Sequence, residues 1–187
     1  WELDNHMSTL HVENLKGLSS GGNANKIIVP SGQTLDASNG FTAPAGHVIQ
    51  MVTNTVTSVI VQNSTSWTTM FSATITPKFN DSKIFIQVMI GGLYMNLGTN
   101  VNQSSWRICR NSGTSITNAN THFHSEVGRN QTGAGTRAFP NMSIVDSPAT
   151  TSSTTYNVQS ERHTGSGGIQ INDTSGTSTI TLLEIKQ

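Results

Sequence analysis

The sequence predicts an all-β protein, a two-sheet antiparallel sandwich of the jelly-roll type. Only 11% of its 187 residues are charged, while Ser, Thr and Asn make up about a third of the chain. A chain rich in Thr and poor in Lys and Glu disfavours helix and favours strands joined by polar turns. Short apolar runs recur between clusters of turn-forming residues, and no window sustains the 3.6-residue period of a helix.

The strongest strand signal lies in residues 71–92. Apolar side chains alternate with hydroxyl side chains in residues 71–76, which predicts a strand with one buried face. Pro77 then begins a turn, because proline cannot donate to a strand ladder. Residues 83–92 are almost continuously apolar, so we expect this strand to be covered on both faces, by a second sheet or by another subunit.

Ten strands are expected along the globular part of the chain. They are 47–52, 56–62, 69–76, 83–94, 104–110, 122–127, 138–145, 155–162, 169–172 and 178–185. The last of these ends the chain, so the C-terminus is predicted to be held within a sheet.

Three segments are predicted from the pattern of the chain. Residues 1–7 are interpreted as a cloning remnant, because they end in a His-Met junction typical of one. Residues 8–45 hold short apolar pieces between Gly, Ser and Pro, each too short to form a sheet alone. They are predicted to be an extended N-terminal stem or attachment segment, with a flexible leader as the alternative. Residues 46–187 form the predicted head domain.

Composition and motifs disfavour several classes of function. The formal net charge is zero, so neither nucleic acid as a partner nor insertion into a membrane is expected. The nucleophile-elbow, phosphate-loop, zinc-protease and dinucleotide motifs are absent from the sequence, so we predict no catalytic residue and no organic cofactor. Cys109, the single cysteine, lies in a predicted strand and is expected to be a small buried side chain.

Several segments resemble one protein family. They are STLHVENL at 8–15, IIVPSGQTLD at 27–36, APAGHVIQMV at 43–52, SATITPKFNDSKIFIQVMI at 72–90, VDSPATTSSTTYNVQSE at 145–161 and STITLLEIK at 178–186. The chain resembles the small fibre-like virion proteins of marine tailed bacteriophages, usually described as tail-fibre proteins. The resemblance covers nearly all of residues 8–187.

This resemblance implies a homotrimer and a place on the virion. The implied head is a jelly roll similar to the tumour-necrosis-factor-like head of complement component C1q, in which one sheet of each subunit packs around a threefold axis. Such packing agrees with the second cover expected for residues 83–92. The predicted trimer interface consists of Ile84, Ile86, Val88, Ile90, Leu183 and Ile185. Residues 8–45 would contact other virion proteins.

Five residues are candidates for ligand binding. They are Trp67, Asn100, Gln103, Arg129 and Arg137. Polar loops carry binding functions more often than strands do, and an aromatic face beside polar side chains suits a sugar ring.

Two histidines form a candidate metal site. His122 and His124 stand two residues apart, which places both on one face of a strand. Three copies around a threefold axis would offer six nitrogens to a divalent transition metal. The alternative is an edge strand whose histidines meet water.

The leading functional prediction is a non-enzymatic tail-fibre-like adhesin. Loops of its trimeric head would bind a host-surface receptor, with a glycan favoured over a protein. The main alternative is a structural capsid fibre, decoration knob or tail component without specific receptor binding. Two minor alternatives are a polysaccharide depolymerase and a glycan-binding module of a non-viral protein.

Overall fold

The computed structural model describes residues 15–22, 24, 26–34, 43–96, 102–111, 113–116, 123–127, 135–164 and 168–187. The chain divides into two compact units, residues 1–42 and 43–187. In the first unit the described residues form turns and extended chain, with hydrogen bonds from Ala24 N to Gly21 O and from Gln33 N to Pro30 O. The cloning remnant predicted at residues 1–7 lies outside the described residues.

The second unit is built from strands. They are β1 Val48–Val56, β2 Ile60–Gln62, β3 Thr68–Ile75, β4 Lys83–Met89, β5 Leu93–Asn96, β6 Asn102–Arg110, β7 Thr114–Ser115, β8 Phe123–Val127, β9 Gly135–Ala138, β10 Asn141–Asp146, β11 Thr154–Thr164, β12 Ile169–Ile171 and β13 Ser178–Ile185. Within the described residues the only helical element is one 3-10 turn, Asp173–Ser175. That part of the chain holds no helix with the length and apolarity that a membrane crossing requires.

The strands form three antiparallel sheets. Sheet I has the order β1-β13-β4-β10, sheet II the order β2-β12-β5-β9, and sheet III the order β3-β11-β6-β7, with β8 also paired to β6. The all-β antiparallel class predicted from the sequence is therefore confirmed. The final strand lies between β1 and β4 in sheet I, so the prediction that the C-terminus is held within a sheet is also confirmed.

Sheets I and II have matching strand orders. Each strand of sheet I has a sequence neighbour at the matching position of sheet II, so β4 leads into β5 and β9 into β10. Gly91 lies at this break, where a Cβ atom would collide with the backbone of Thr177. Pro140 stands between β9 and β10 and cannot donate to a ladder. These breaks explain why the strands predicted at 83–94 and 138–145 are each divided.

One hydrophobic core lies between the sheets. Inward side chains from all three sheets belong to a single cluster, in which Trp106 and Tyr156 are the largest members. Burial alternates along β13 at every residue, as the period of a strand requires. The Trp106 side chain is fully buried in this core.

The β4 strand alternates more strictly than its sequence suggested. Ile84, Ile86 and Val88, together with Ile90 just beyond the strand, are 0% exposed within a single chain and belong to its own core. They have no surface to offer a second copy, so their prediction as trimer-interface residues is wrong. The outward positions of β4 are Lys83, Phe85, Gln87 and Met89.

A buried carboxylate joins the turn before β4 to the end of sheet I. Glu184 is 0% exposed, and its Oε1 accepts hydrogen bonds from Lys78 N at 2.8 Å, Phe79 N at 3.2 Å and Ser82 Oγ at 2.7 Å. Its Oε2 accepts from Gln50 Nε2 at 2.6 Å. Burial by itself would raise the pKa of this carboxyl, but these donors outweigh it and lower the pKa below the ordinary value.

A second polar link crosses between the sheets. The buried Tyr156 on β11 donates its hydroxyl hydrogen to Asp146 Oδ2 on β10 at 2.8 Å. The same carboxylate oxygen lies 3.5 Å from Arg110 Nη1. Burial, and then the bond to Asp146, raise the pKa of Tyr156 far above its ordinary value, so the phenol stays a donor.

Candidate functional site

The outer face of sheet III is polar across three strands. Its outward side chains include Thr69, Ser72 and Thr74 on β3, Thr155, Asn157 and Gln159 on β11, and Arg107 on β6. Two of the hydroxyl groups, Thr74 Oγ1 and Thr155 Oγ1, lie 2.8 Å apart. We name these seven residues the polar face. It offers mostly hydroxyl and amide groups, and the carboxylate of Glu161, two residues beyond Gln159 on β11, lies on the same side of the sheet.

Arg107 is held in one orientation on the polar face. Its guanidinium carbon stands 4.2 Å from the centroid of the Trp67 ring, a distance that permits cation–π attraction. Its Nε donates to Gln159 Oε1 at 2.8 Å. The Gln159 amide is itself held, because Nε2 donates to Thr69 Oγ1 at 3.2 Å. An arginine stacked on one side and bonded through Nε keeps its outer nitrogens directed along a fixed line.

A shallow recess of about 430 Å³ lies on the same face. It is lined by Thr69, Asn111, Thr155, Asn157 and Gln159. Asn111 closes the recess in a left-handed turn at φ 52°, a conformation that asparagine tolerates better than most residues. Asn111 Oδ1 accepts from Thr155 N at 3.1 Å, and the Asn157 amide donates to the Asn111 carbonyl oxygen. The lining is therefore ordered by its own hydrogen bonds.

Cys109 lies on this same face, opposite Asn157, but it is buried beneath the surrounding side chains and is not a nucleophile candidate. Its side chain is buried, and Sγ donates to Gln159 Oε1 at 3.2 Å. Burial raises the pKa of the thiol, and the nearby charge of Arg107 only partly opposes that. The structure confirms the sequence prediction of a small buried side chain.

The predicted ligand-binding residues divide into described and undescribed ones. Trp67 is half-buried beside Arg107, and Gln103 lies half-buried on β6, opposite Thr164 of β11. Asn100 and Arg129 lie outside the described residues. Arg137 is on β9, paired with Tyr94, but its side chain is outside what the structure describes. The prediction of a loop site around these five residues therefore stays a prediction.

The sequence analysis missed the amide side chains of β11. Asn157 and Gln159 were not proposed as ligand-binding residues, although both contribute to the polar face. The signal was present, because polar side chains occupy alternate positions from Thr155 onwards. Without the register of β11 against β3 and β6, that alternation does not reveal which neighbours share the face.

The histidine pair has no described geometry. His122 lies outside the described residues, and His124 is known by its backbone alone, opposite Ser105 in the β6–β8 pairing. No group of three or more metal-ligating side chains occurs among the residues that the structure describes. Metal binding by this pair stays a prediction.

A contrasting surface lies on the outer face of sheet I. Met51, Leu183, Phe85 and Val145 stand opposite one another in register across β1, β13, β4 and β10. We name these four residues the apolar stripe. Met51 is 67% exposed and Val145 51% exposed, so the stripe faces solvent in the single chain. Ile185, which was predicted at the trimer interface with Leu183, is half-buried on the same face.

The fold and these two faces define an all-β protein of antiparallel sheets, with one polar and one apolar outer face. No family model and no curated protein matches the chain. Among solved structures, it is similar to a chain of infectious bursal disease virus, Gx strain, at 15% identity and a TM-score of 0.35, covering 74% of this chain and 33% of that one. A second is the VP2 subviral particle of the same virus, at 11% identity and a TM-score of 0.32, covering 85% and 42%.

A tailspike is also among the similar structures. The enzymatically active domain of bacteriophage CBA120 tailspike protein 4 matches at 13% identity and a TM-score of 0.27, covering 74% of this chain and 20% of that one. The chain thus spans less than half the length of these viral proteins. TM-scores below 0.5 do not establish a common fold, so the properties of those proteins are not transferred from them.

Proposed function

We propose that this protein is a non-enzymatic virion protein of a tailed bacteriophage, a tail-fibre-like adhesin. The observation that carries the proposal is the contrast between its two outer faces. One bears the apolar stripe, and the other bears the polar face with an aromatic ring and a fixed guanidinium. The assignment to a phage particle rests on the sequence resemblance described above.

The apolar stripe is the surface we assign to assembly. Contiguous exposed apolar side chains on a soluble protein mark contact with other molecules more often than they face solvent permanently. In the proposed homotrimer, Phe85, Leu183 and their neighbours face the equivalent residues of two other copies. The proposed interface therefore still includes β4, as predicted from the sequence, but it is formed by the outward residues of that strand and not by the inward ones.

The polar face is the surface we assign to the host. Amide and hydroxyl groups beside an aromatic ring match the hydroxyl groups and apolar ring faces of a saccharide. A trimer presents three such faces at once. Weak single sites joined in one particle bind with a much higher overall affinity, which suits attachment to a cell surface carrying many copies of a glycan.

Cell binding tests the adhesin proposal. Labelled protein is expected to bind the host's surface, and pre-incubation of cells with it should lower phage infection. Trp67→Ala should weaken binding at least several-fold, because it removes the ring against which Arg107 stacks. Thr181→Ala on the outer face of sheet I is the matched control. If neither the cells nor their purified polysaccharide bind the protein, the structural alternative replaces the adhesin.

Light scattering tests the assembly proposal. Phe85→Asp should give a folded monomer near the single-chain mass of 20.0 kDa, because it places a charge in the proposed interface. Thr74→Asp, on the opposite outer face, should leave the oligomer intact. A wild-type protein that is monomeric, or a Phe85→Asp variant with unchanged mass, contradicts the proposed use of the stripe.

In the structural alternative, the apolar stripe mediates assembly and the protein binds no receptor. A capsid fibre, decoration knob or tail component would need an assembly surface. The apolar stripe therefore favours this alternative as much as it favours the adhesin. Immunogold labelling of intact particles distinguishes a capsid position from a tail position. The cell-binding experiment then separates the two functions.

A further inference from the structure

Arg107 is a fixed positive group on the β6 side of the polar face. The Trp67 ring covers one side of the guanidinium, and Gln159 Oε1 accepts the hydrogen bond from Nε. The two terminal nitrogens are the donors that these contacts leave for a partner. A guanidinium presented in this way matches the two oxygens of a carboxylate, with two parallel hydrogen bonds.

Arg107 forms no ion pair among the described residues, although Glu161 lies on the same outer face, two residues along β11 from Gln159. Among the described residues, Asp146 pairs with Arg110 and Asp81 with Lys186, and neither pair involves Arg107. Gln159 beside it is neutral and supplies only an oxygen acceptor. A fixed cation whose terminal nitrogens form no ion pair with a described carboxylate can pair with one from a ligand.

The recess beside Arg107 is uncharged and rich in hydrogen-bonding groups. Its lining side chains are two hydroxyls and three amides, from Thr69, Thr155, Asn111, Asn157 and Gln159. Hydroxyl groups of a sugar ring can both donate to and accept from such a lining. Gln159 belongs to the recess and also holds Arg107, so the charge and the recess are parts of one surface.

We propose that the polar face binds a carboxylate-bearing saccharide, such as a uronic acid unit of a host-surface polysaccharide. Arg107 binds the carboxylate, and the amides and hydroxyls of the recess bind the ring hydroxyls. The inference rests on the proposed glycan-binding function and adds the charge class of its ligand. A nucleic acid is not favoured, because the chain has a net charge of zero and this face carries a single described cation.

Matched oligosaccharides test the charge class. The full chain is titrated with alginate oligosaccharides, which carry a carboxylate on every unit, and with dextran oligosaccharides of equal length, which carry none. Alginate is expected to bind at least about tenfold more tightly than dextran, in keeping with the strength of a charged hydrogen bond. Raising the salt concentration should weaken alginate binding and leave dextran binding unchanged.

Variants of Arg107 test the residue. Arg107→Gln should weaken alginate binding by about 10- to 100-fold and bring it to the level of dextran. Arg107→Lys keeps the charge and loses the planar fork, so it should bind alginate with an affinity between wild type and Arg107→Gln. Lys83→Gln, which removes an exposed charge from sheet I, is the control and should bind as wild type does. Circular dichroism confirms that each variant is folded.

The outcomes separate this inference from the proposed function. Equal binding of alginate and dextran, unaffected by Arg107→Gln, overturns the acidic-ligand inference and leaves glycan binding intact. Binding of neither polymer, together with absence of binding to host cells, overturns both. Preference for alginate that persists in Arg107→Gln overturns the assigned role of Arg107.

Discussion

Glu184→Gln tests whether one buried carboxylate holds the turn before β4 onto sheet I. The wild-type side chain accepts four hydrogen bonds, from Lys78 N, Phe79 N, Ser82 Oγ and Gln50 Nε2, and it is fully buried. Glutamine has nearly the same volume but carries no charge. Its amide nitrogen would also face Gln50 Nε2, which places two donors against each other.

The expected cost follows from these contacts. A hydrogen bond to a charged acceptor contributes about 1.5–3 kcal/mol and a neutral one about 0.5–1.5 kcal/mol. Gln50 Nε2 also donates to Thr76 O at 2.8 Å, so rotating its amide to accept from the new group would break that bond. We expect Glu184→Gln to lower the free energy of unfolding by about 2–4 kcal/mol, a large fraction of the roughly 5–15 kcal/mol typical of a domain.

Urea unfolding followed by tryptophan fluorescence at pH 7 measures this change. Asp81→Asn is the matched control, because Asp81 is an exposed carboxylate at the same turn, paired with Lys186. Its unfolding curve is expected to superimpose on that of the wild type. An unfolding midpoint for Glu184→Gln equal to that of the wild type would refute the reasoning.

The same variant has a defined pH dependence. Because the pKa of Glu184 is lowered in the folded state, its stabilisation is complete above the unfolded value of about 4.3 and disappears as the pH falls through the folded pKa. The wild type should therefore lose more stability than Glu184→Gln when the pH is lowered from about 5 to 3. Equal losses in the two proteins would contradict the lowered pKa.

Two further substitutions have defined effects on stability. Gly91→Ala should lower the free energy of unfolding by about 1–3 kcal/mol, because its Cβ would meet a neighbouring backbone. The control Gly113→Ala, with open space around the new Cβ, should stay within about 0.5 kcal/mol of wild type in the same urea assay. Equal effects of the two substitutions would contradict the close approach at Gly91. Tyr156→Phe should cost about 1.5–3 kcal/mol by removing the bond to Asp146. Since the folded-state pKa of Tyr156 is raised, wild-type stability should fall above about pH 10 more steeply than that of the variant; parallel pH curves would contradict this.

Much of the fold could be predicted because local patterns determined it. Residues 71–76 alternate strictly, and the structure places a strand at Thr68–Ile75. The apolar C-terminal run became a strand at Ser178–Ile185, within the predicted bounds. The division of the long strand at 83–94 was not predicted. It depends on a tertiary contact, because the backbone of Thr177 lies where a Cβ atom of residue 91 would stand.

The faces of β4 could not be read from its sequence. Ile84, Ile86 and Val88 form one set of alternate positions, while Phe85 and Met89 belong to the other. Both sets contain apolar residues, so a period of two does not reveal which one enters the core. Pairing with β13 and β10 decided it, and the outward set became part of the surface.

The sequence by itself determined that this chain forms short antiparallel strands joined by polar turns, with its C-terminal strand held in a sheet. Only the tertiary structure decided which side chains share a surface. The polar face combines β3, β6 and β11, and the apolar stripe combines β1, β4, β10 and β13, from positions far apart in the chain. The physical reason is that antiparallel register fixes neighbours across strands, and a shift of one residue would exchange the two faces of a strand.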